Sequence, residues 1–173
     1  MMSRFGSAFL FSLVLSLVAV PMVFAHDGSW NQNIVSWNDV LLGHDDADPF
    51  KGWATLTVNN SMEEAWGDFH FEIYQSPTYH VFFPSSQTPV MLDGSNNPYT
   101  GFTYAIASTT IDFYFYGNPV DPGDTVTFKV YTDNTSNKHA WFGLTVYPTP
   151  VPEPATVALL GLGAISLFRR RRV

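Results

Sequence analysis

Three groups of side chains in this chain have types and spacings that suit chemistry. The first is the run His44-Asp45-Asp46-Ala47-Asp48. Clustered carboxylates at Asp45, Asp46 and Asp48 offer the hard oxygen ligands that calcium takes. The spacing departs from the EF-hand pattern, because Pro49 interrupts it and no glutamate closes it. The run is therefore a candidate structural calcium site in a loop, with a plain solvated loop as the competing reading. The second group is Asp68, His70 and Glu72, which alternate along one stretch. On a strand such residues share a face about 7 Å apart, so a transition metal would need a further ligand from elsewhere, with His80 or His139 as candidates. A polar outer face without a ligand explains the same pattern.

The third group is aromatic. Trp53, Trp66, Tyr74, Tyr114, Tyr116, Tyr131, Trp141 and Tyr147 fall on the polar side of alternating segments. Rings with a polar handle stack on sugar faces, so Trp53, Trp66, Tyr114, Tyr116 and Trp141 are candidate glycan contacts. Cross-strand ring pairs would account for them equally well. Catalysis has little to stand on. Glu63 and Glu64 are adjacent, and no Gly-x-Ser-x-Gly nucleophile motif occurs. The expectation is a protein that is not an enzyme and needs no cofactor beyond the candidate calcium.

The elements that carry these residues read as strands. Alternation with a period of two marks a half-buried strand. It runs through Trp53 to Asn59 and most clearly through Trp66 to Tyr74, where Gly67, Phe69, Phe71 and Ile73 share one side and Trp66, Asp68, His70, Glu72 and Tyr74 the other. Further inward sets are Phe102, Tyr104 and Ile106; Ile111, Phe113 and Phe115; Val126, Phe128 and Val130; and Phe142, Leu144 and Val146. A short edge strand is expected near Ile34 to Trp37. Turn residues separate the runs, as at Asn59-Asn60-Ser61, Gly117-Asn118-Pro119 and Asp121-Pro122-Gly123-Asp124. About seven to nine short strands so punctuated predict an all-β, antiparallel β-sandwich of immunoglobulin-like or jelly-roll-like type.

Both ends of the chain are of a different composition. Arg4 precedes the apolar run Phe9 to Val20, and Val23-Phe24-Ala25 places compact residues before His26. That is the pattern of an export signal over residues 1–25, with the mature chain starting at His26. At the other end stand Pro152-Glu153-Pro154, the fourteen uncharged residues Ala155 to Phe168, and Arg169, Arg170, Arg171 and Arg172. As a helix, the uncharged stretch would span roughly 21 Å against about 30 Å for a bilayer core, a short transmembrane segment over 155–168 that snorkelling arginines extend. The arginines stay cytoplasmic while residues 26–150 are translocated. Between these ends, Pro148-Thr149-Pro150-Val151-Pro152 reads as an extended spacer holding the tail clear of the domain.

Charge confirms the division. The whole chain has a formal charge of −7, but residues 26–150 hold fourteen acidic residues, three lysines and no arginine, or 3 − 14 = −11. Nucleic acid and anionic lipid would be repelled by that balance. The chain has no cysteine, so the domain must be held by its core, by ions or by partners.

Pro152, Glu153 and Pro154, the apolar span containing Gly161 and Gly163, and the terminal arginines together resemble the PEP-CTERM sorting signal of Gram-negative bacteria. The resemblance covers residues 151–173. It implies recognition by a membrane-embedded exosortase after the export machinery has acted, and passage from an inner-membrane-anchored precursor to the cell surface or an exopolysaccharide matrix. A second, shorter similarity, of Pro122 to Val130 to bacterial immunoglobulin-like adhesion repeats, bears on fold alone. The expected role is an exported structural or adhesive protein, associated with extracellular polysaccharide. The alternative is a small carbohydrate-binding module using an aromatic sheet face.

Overall fold

In the computed structural model, residues 26–76, 78, 80–136 and 138–151 are described. The expected export signal, transmembrane segment and arginine cluster lie outside them. Among the described residues no helix is long and apolar enough to cross a membrane.

Among the described residues, ten strands form two five-stranded sheets. The first sheet holds β1 (Gly28–Ile34), β3 (Lys51–Asn60), β9 (Thr125–Asn134) and the short β5 (Val81–Phe82) and β6 (Val90–Asp93), both of which pair with β9. The second runs in the order β2 (Val40–Asp46), β10 (Ala140–Pro150), β4 (Trp66–Gln75), β8 (Thr110–Tyr114) and β7 (Thr103–Ile106). All pairs are antiparallel except β1 with β3. The two sheets make the all-β sandwich that the alternation predicts.

The core is the inner face of both sheets. Leu56 and Val58 of β3 and Val126, Phe128 and Val130 of β9 meet Phe69 and Phe71 of β4, Ile111 and Phe113 of β8, and Phe142, Leu144 and Val146 of β10. Phe128 crosses the layer. Its ring stacks on Phe69 at 4.6 Å and meets Phe113 at 4.9 Å and Phe71 at 5.7 Å. Each such ring, fully buried, contributes about 1.5–3 kcal/mol by its removal from water. Residues 26–151 thus contain a closed core without cysteine.

Four local expectations change. Instead of one edge strand near Ile34 to Trp37, β1 ends at Ile34 and β2 begins at Val40, with a bend between. The second is at Trp66. Alternation holds from Phe69 to Ile73, but the register between β4 and β10 slips at Thr149/Pro150, and Trp66 turns into the core with no exposed surface. A Cβ added to Gly67 would lie 2.4 Å from the Tyr116 ring, so the bulge needs a residue without a side chain there. Third, Tyr104 is 41% exposed rather than inward, because β7 is the outermost strand of its sheet. Fourth, Pro148 to Pro150 are not a free spacer but the end of β10, paired with Phe69 to Trp66. Proline is tolerated there because β2 leaves β10 after Val146, opening one edge of the strand.

Candidate functional site

The outer face of the second sheet gathers much of the polar and aromatic chemistry. Asp68, His70, Glu72 and Tyr74 of β4 point outward at alternate positions, with Asp112 and Tyr114 of β8 on one side and Tyr147, Thr145 and Trp141 of β10 on the other. His70 sits at its centre. Its Nδ1 lies 2.7 Å from Asp112 Oδ1 and its Nε2 3.2 Å from Asp68 Oδ1, while its ring stacks on Tyr147 at 4.7 Å. A neutral imidazole donates one hydrogen bond, whereas the imidazolium donates two. Burial alone would lower the His70 pKa, but the bonds to Asp68 and Asp112 outweigh it and raise the value.

Asp68 anchors the strand ends around it. Its Oδ1 accepts from the Thr149 amide at 3.1 Å and from the Thr149 hydroxyl, and its Oδ2 accepts from the Tyr116 hydroxyl. Burial would raise its pKa; the bonds from His70, Thr149 and Tyr116 prevail and lower it. The Asp68 bond, with burial second, pushes the Tyr116 phenol up to about 12. Glu72 is exposed and not part of this cluster's bonding. The candidate metal use of Asp68, His70 and Glu72 does not form, and the competing reading of a polar outer face fits: both ring nitrogens of His70 face carboxylates, and the strand beside it supplies Asp112 rather than His80 or His139.

The candidate glycan rings divide three ways. Trp141 (45% exposed) and Tyr116 (45%) stand on this outer face, joined by Tyr74 (62%). Tyr74 and Trp141 meet edge to face at 6.5 Å, and Tyr114 and Tyr116 stack at 6.3 Å. Trp53 lies on the opposite side of the molecule, packed against Tyr131 at 5.3 Å on the outer face of the first sheet. Trp66 is in the core and leaves the set; its indole Nε1 is buried and has no hydrogen-bond partner among the described residues.

The acidic run is not a loop, and it does not converge. β2 carries it to Asp46, so alternation sends Asp45 outward and Asp46 inward, and Asp48 lies exposed beyond the strand end. Asp45, Asp46 and Asp48 therefore do not form the expected oxygen cluster. Asp46 is 4% exposed, and its Oδ2 accepts from Asn134 Nδ2 at 2.7 Å. Its neighbours on the inner side are histidines. His26 Nδ1 lies 3.1 Å from His44 Nε2, and one ligand atom from each of His26, His44 and Asp46 falls within 4.8 Å of the others. Burial, and next the adjacent His26, lower the His44 pKa. No motif spacing announces this group, since His26 lies in the segment that leads into β1 and His44 on β2; the only signal is that His26 stands first after the expected export signal.

Residues 150–172 match the PEP-CTERM protein-sorting motif, so the chain is an exported, membrane-passing precursor handled by an exosortase. The motif begins at the last residue of β10. Pro152, Glu153 and Pro154 and Arg169 to Arg172 fall within the match. No curated protein sequence matches the chain. Among solved structures it is similar to the pre-peptidase C-terminal domain of collagenase from Bacillus anthracis, at 10% identity and a TM-score of 0.36, over 70% of this chain and 95% of that one.

Proposed function

We propose that the mature domain is a structural or adhesive component of the cell surface or extracellular matrix, associated with exopolysaccharide through the outer face of its second sheet. One observation carries the reading: the exposed pair Tyr74 and Trp141 stands at one end of a face that continues through Tyr147 and His70 to Tyr114 and Tyr116. Asp68 to Tyr74 of β4 covers about 20 Å at strand rise. Exposed ring clusters of this kind mark interaction surfaces. Rings present apolar area to sugar faces, while the exposed Glu72 and the half-buried Asp112 supply acceptors for hydroxyls. In this role the domain binds and does not catalyse.

Retention of the purified domain on isolated matrix polysaccharide tests the proposal. Wild type is expected to bind, the double variant Tyr74→Ala/Trp141→Ala to lose binding, and Trp53→Ala, on the opposite face, to keep it. Absence of wild-type binding contradicts the proposal. The second reading, a small carbohydrate-binding module, is favoured by the compactness of the Tyr74–Trp141 pair. It predicts that short oligosaccharides bind as well as the polymer does.

A further inference from the structure

We infer that His26, His44 and Asp46 form a divalent transition-metal site that takes copper(II) most tightly. The site lies at one lateral edge of the sandwich, where β1, at the edge of one sheet, begins beside β2, at the edge of the other.

The geometry is that of adjacent ligands. With metal–nitrogen bonds of about 2.0–2.1 Å, two imidazole nitrogens at neighbouring positions are about 2.9–3.4 Å apart. His26 Nδ1 and His44 Nε2 are 3.1 Å apart. Two imidazole nitrogens facing each other can share only one proton, so the contact is one hydrogen bond at best in the neutral pair and repulsive when both are charged. A cation between them removes that conflict. Asp46 adds a carboxylate that is buried and pointed the same way, with its Oδ2 fixed by the neutral Asn134 amide. Buried carboxylates are normally matched by a positive group or a metal. Among the described residues the ion pairs within contact distance all involve His70, and none reaches Asp46.

Each ligand is held in place. The His44 ring is framed by Trp30 at 5.7 Å and Phe142 at 5.3 Å, both edge-on, with His26 at 4.8 Å. His26 is fixed through its neighbour and its own backbone. Asp27 Oδ1 accepts from the Trp53 amide at 2.8 Å, and the His26 carbonyl packs so close to Gly52 that a Cβ there would lie 2.5 Å from the oxygen. A site built from rigidly supported ligands needs little ordering to bind.

The amine arm rests on the reading of residues 1–25 as a removed export signal. Cleavage after Ala25 gives His26 a free α-amino group, and Nδ1 is the ring nitrogen that closes a chelate with it. The set then becomes three nitrogens and one carboxylate oxygen, with no sulfur in a chain that lacks cysteine. Nitrogen-rich sets favour copper(II) over the other first-row divalent ions, zinc included.

The test uses residues 26–151 with a native His26 terminus, titrated with copper(II) and zinc(II) by calorimetry, with electron paramagnetic resonance to count coordinated nitrogens. One copper per chain is expected, with at least two nitrogens coupled. Losing a supporting partner alone weakens metal sites about 10–100-fold. His44→Ala and His26→Ala, both at half-buried positions, should therefore each lower copper affinity by about 100-fold or more, and Asn134→Ala by about 10-fold. His139→Ala should leave it unchanged, and circular dichroism checks that each variant folds. Absence of stoichiometric binding, or binding indifferent to His44→Ala and His26→Ala, overturns the site. A chain with two residues placed before His26 should bind copper(II) more weakly, and equal affinity would overturn the part assigned to the amine.

Discussion

His70 and His44 are both half-buried histidines on the second sheet, and their surroundings send them opposite ways. His70 lies on the outer face between Asp68 and Asp112, which raise its pKa and favour the doubly donating imidazolium. His44 lies on the inner side against Trp30, Phe142 and a second histidine, and its pKa is lowered. The first has both nitrogens engaged by the protein itself. The second keeps a nitrogen turned toward His26 and Asp46, where a metal can use it. What a histidine can do here follows from what its ring nitrogens meet, since both nitrogens of His70 face carboxylate oxygens whereas Nε2 of His44 faces a second imidazole.

Unpacking the sheets would erase the contrast altogether. Phe128→Ala removes the ring that touches Phe69, Phe71 and Phe113, and should destabilise the domain by about 3–5 kcal/mol in urea denaturation. Gly52→Ala breaks the inner-edge side alone. Its Cβ would meet the His26 backbone, which must move, so a loss of about 1–3 kcal/mol is expected. Faster hydrogen exchange at the Trp53 amide, which Asp27 holds, would report the displaced segment.

His70→Gln breaks the outer side alone and should act through pH. Because the folded-state pKa of His70 is raised, its contribution is fully present below its unfolded value of about 6.5 and is lost as pH rises through the folded value. Wild type should lose more melting temperature than His70→Gln does when pH is raised from 5.5 to 8.5. An equal loss would mean that the two carboxylates do not hold the proton. The smallest effect is expected at the exposed end of the face. Trp141→Ala should change stability by no more than about 0.5 kcal/mol while weakening polysaccharide retention.

The inward sets Ile111–Phe113–Phe115, Val126–Phe128–Val130 and Phe142–Leu144–Val146 were legible in the sequence because their alternation is uninterrupted and their inner residues are apolar. β2 was not, for a related reason: its inner positions run Leu42, His44, Asp46, so a buried face carries polar residues and reads as a loop. Strict alternation puts Trp66 on the outer face, whereas a bulge shifts parity by one residue and turns it inward, and only Gly67 hints at this in the sequence. The aromatic outer face was visible as a list of rings, but nothing in the sequence separates Trp53 from Trp141, which lie on opposite sheets. His26, in the segment before β1, and His44, on β2, meet although they are eighteen residues apart in sequence, and local spacing carries no trace of that. The tail is the most legible part, since the motif it matches is an order of residues and needs no fold to be recognised in the sequence.

The most direct test of the account is the intact mass of the protein recovered from the cell surface or culture fluid. Export and sorting predict a chain that begins at His26 and ends between Pro152 and Ala155, with the amino terminus placed beside His44. Recovery of a chain that retains residues before His26, or still carries Arg169 to Arg172, would contradict it.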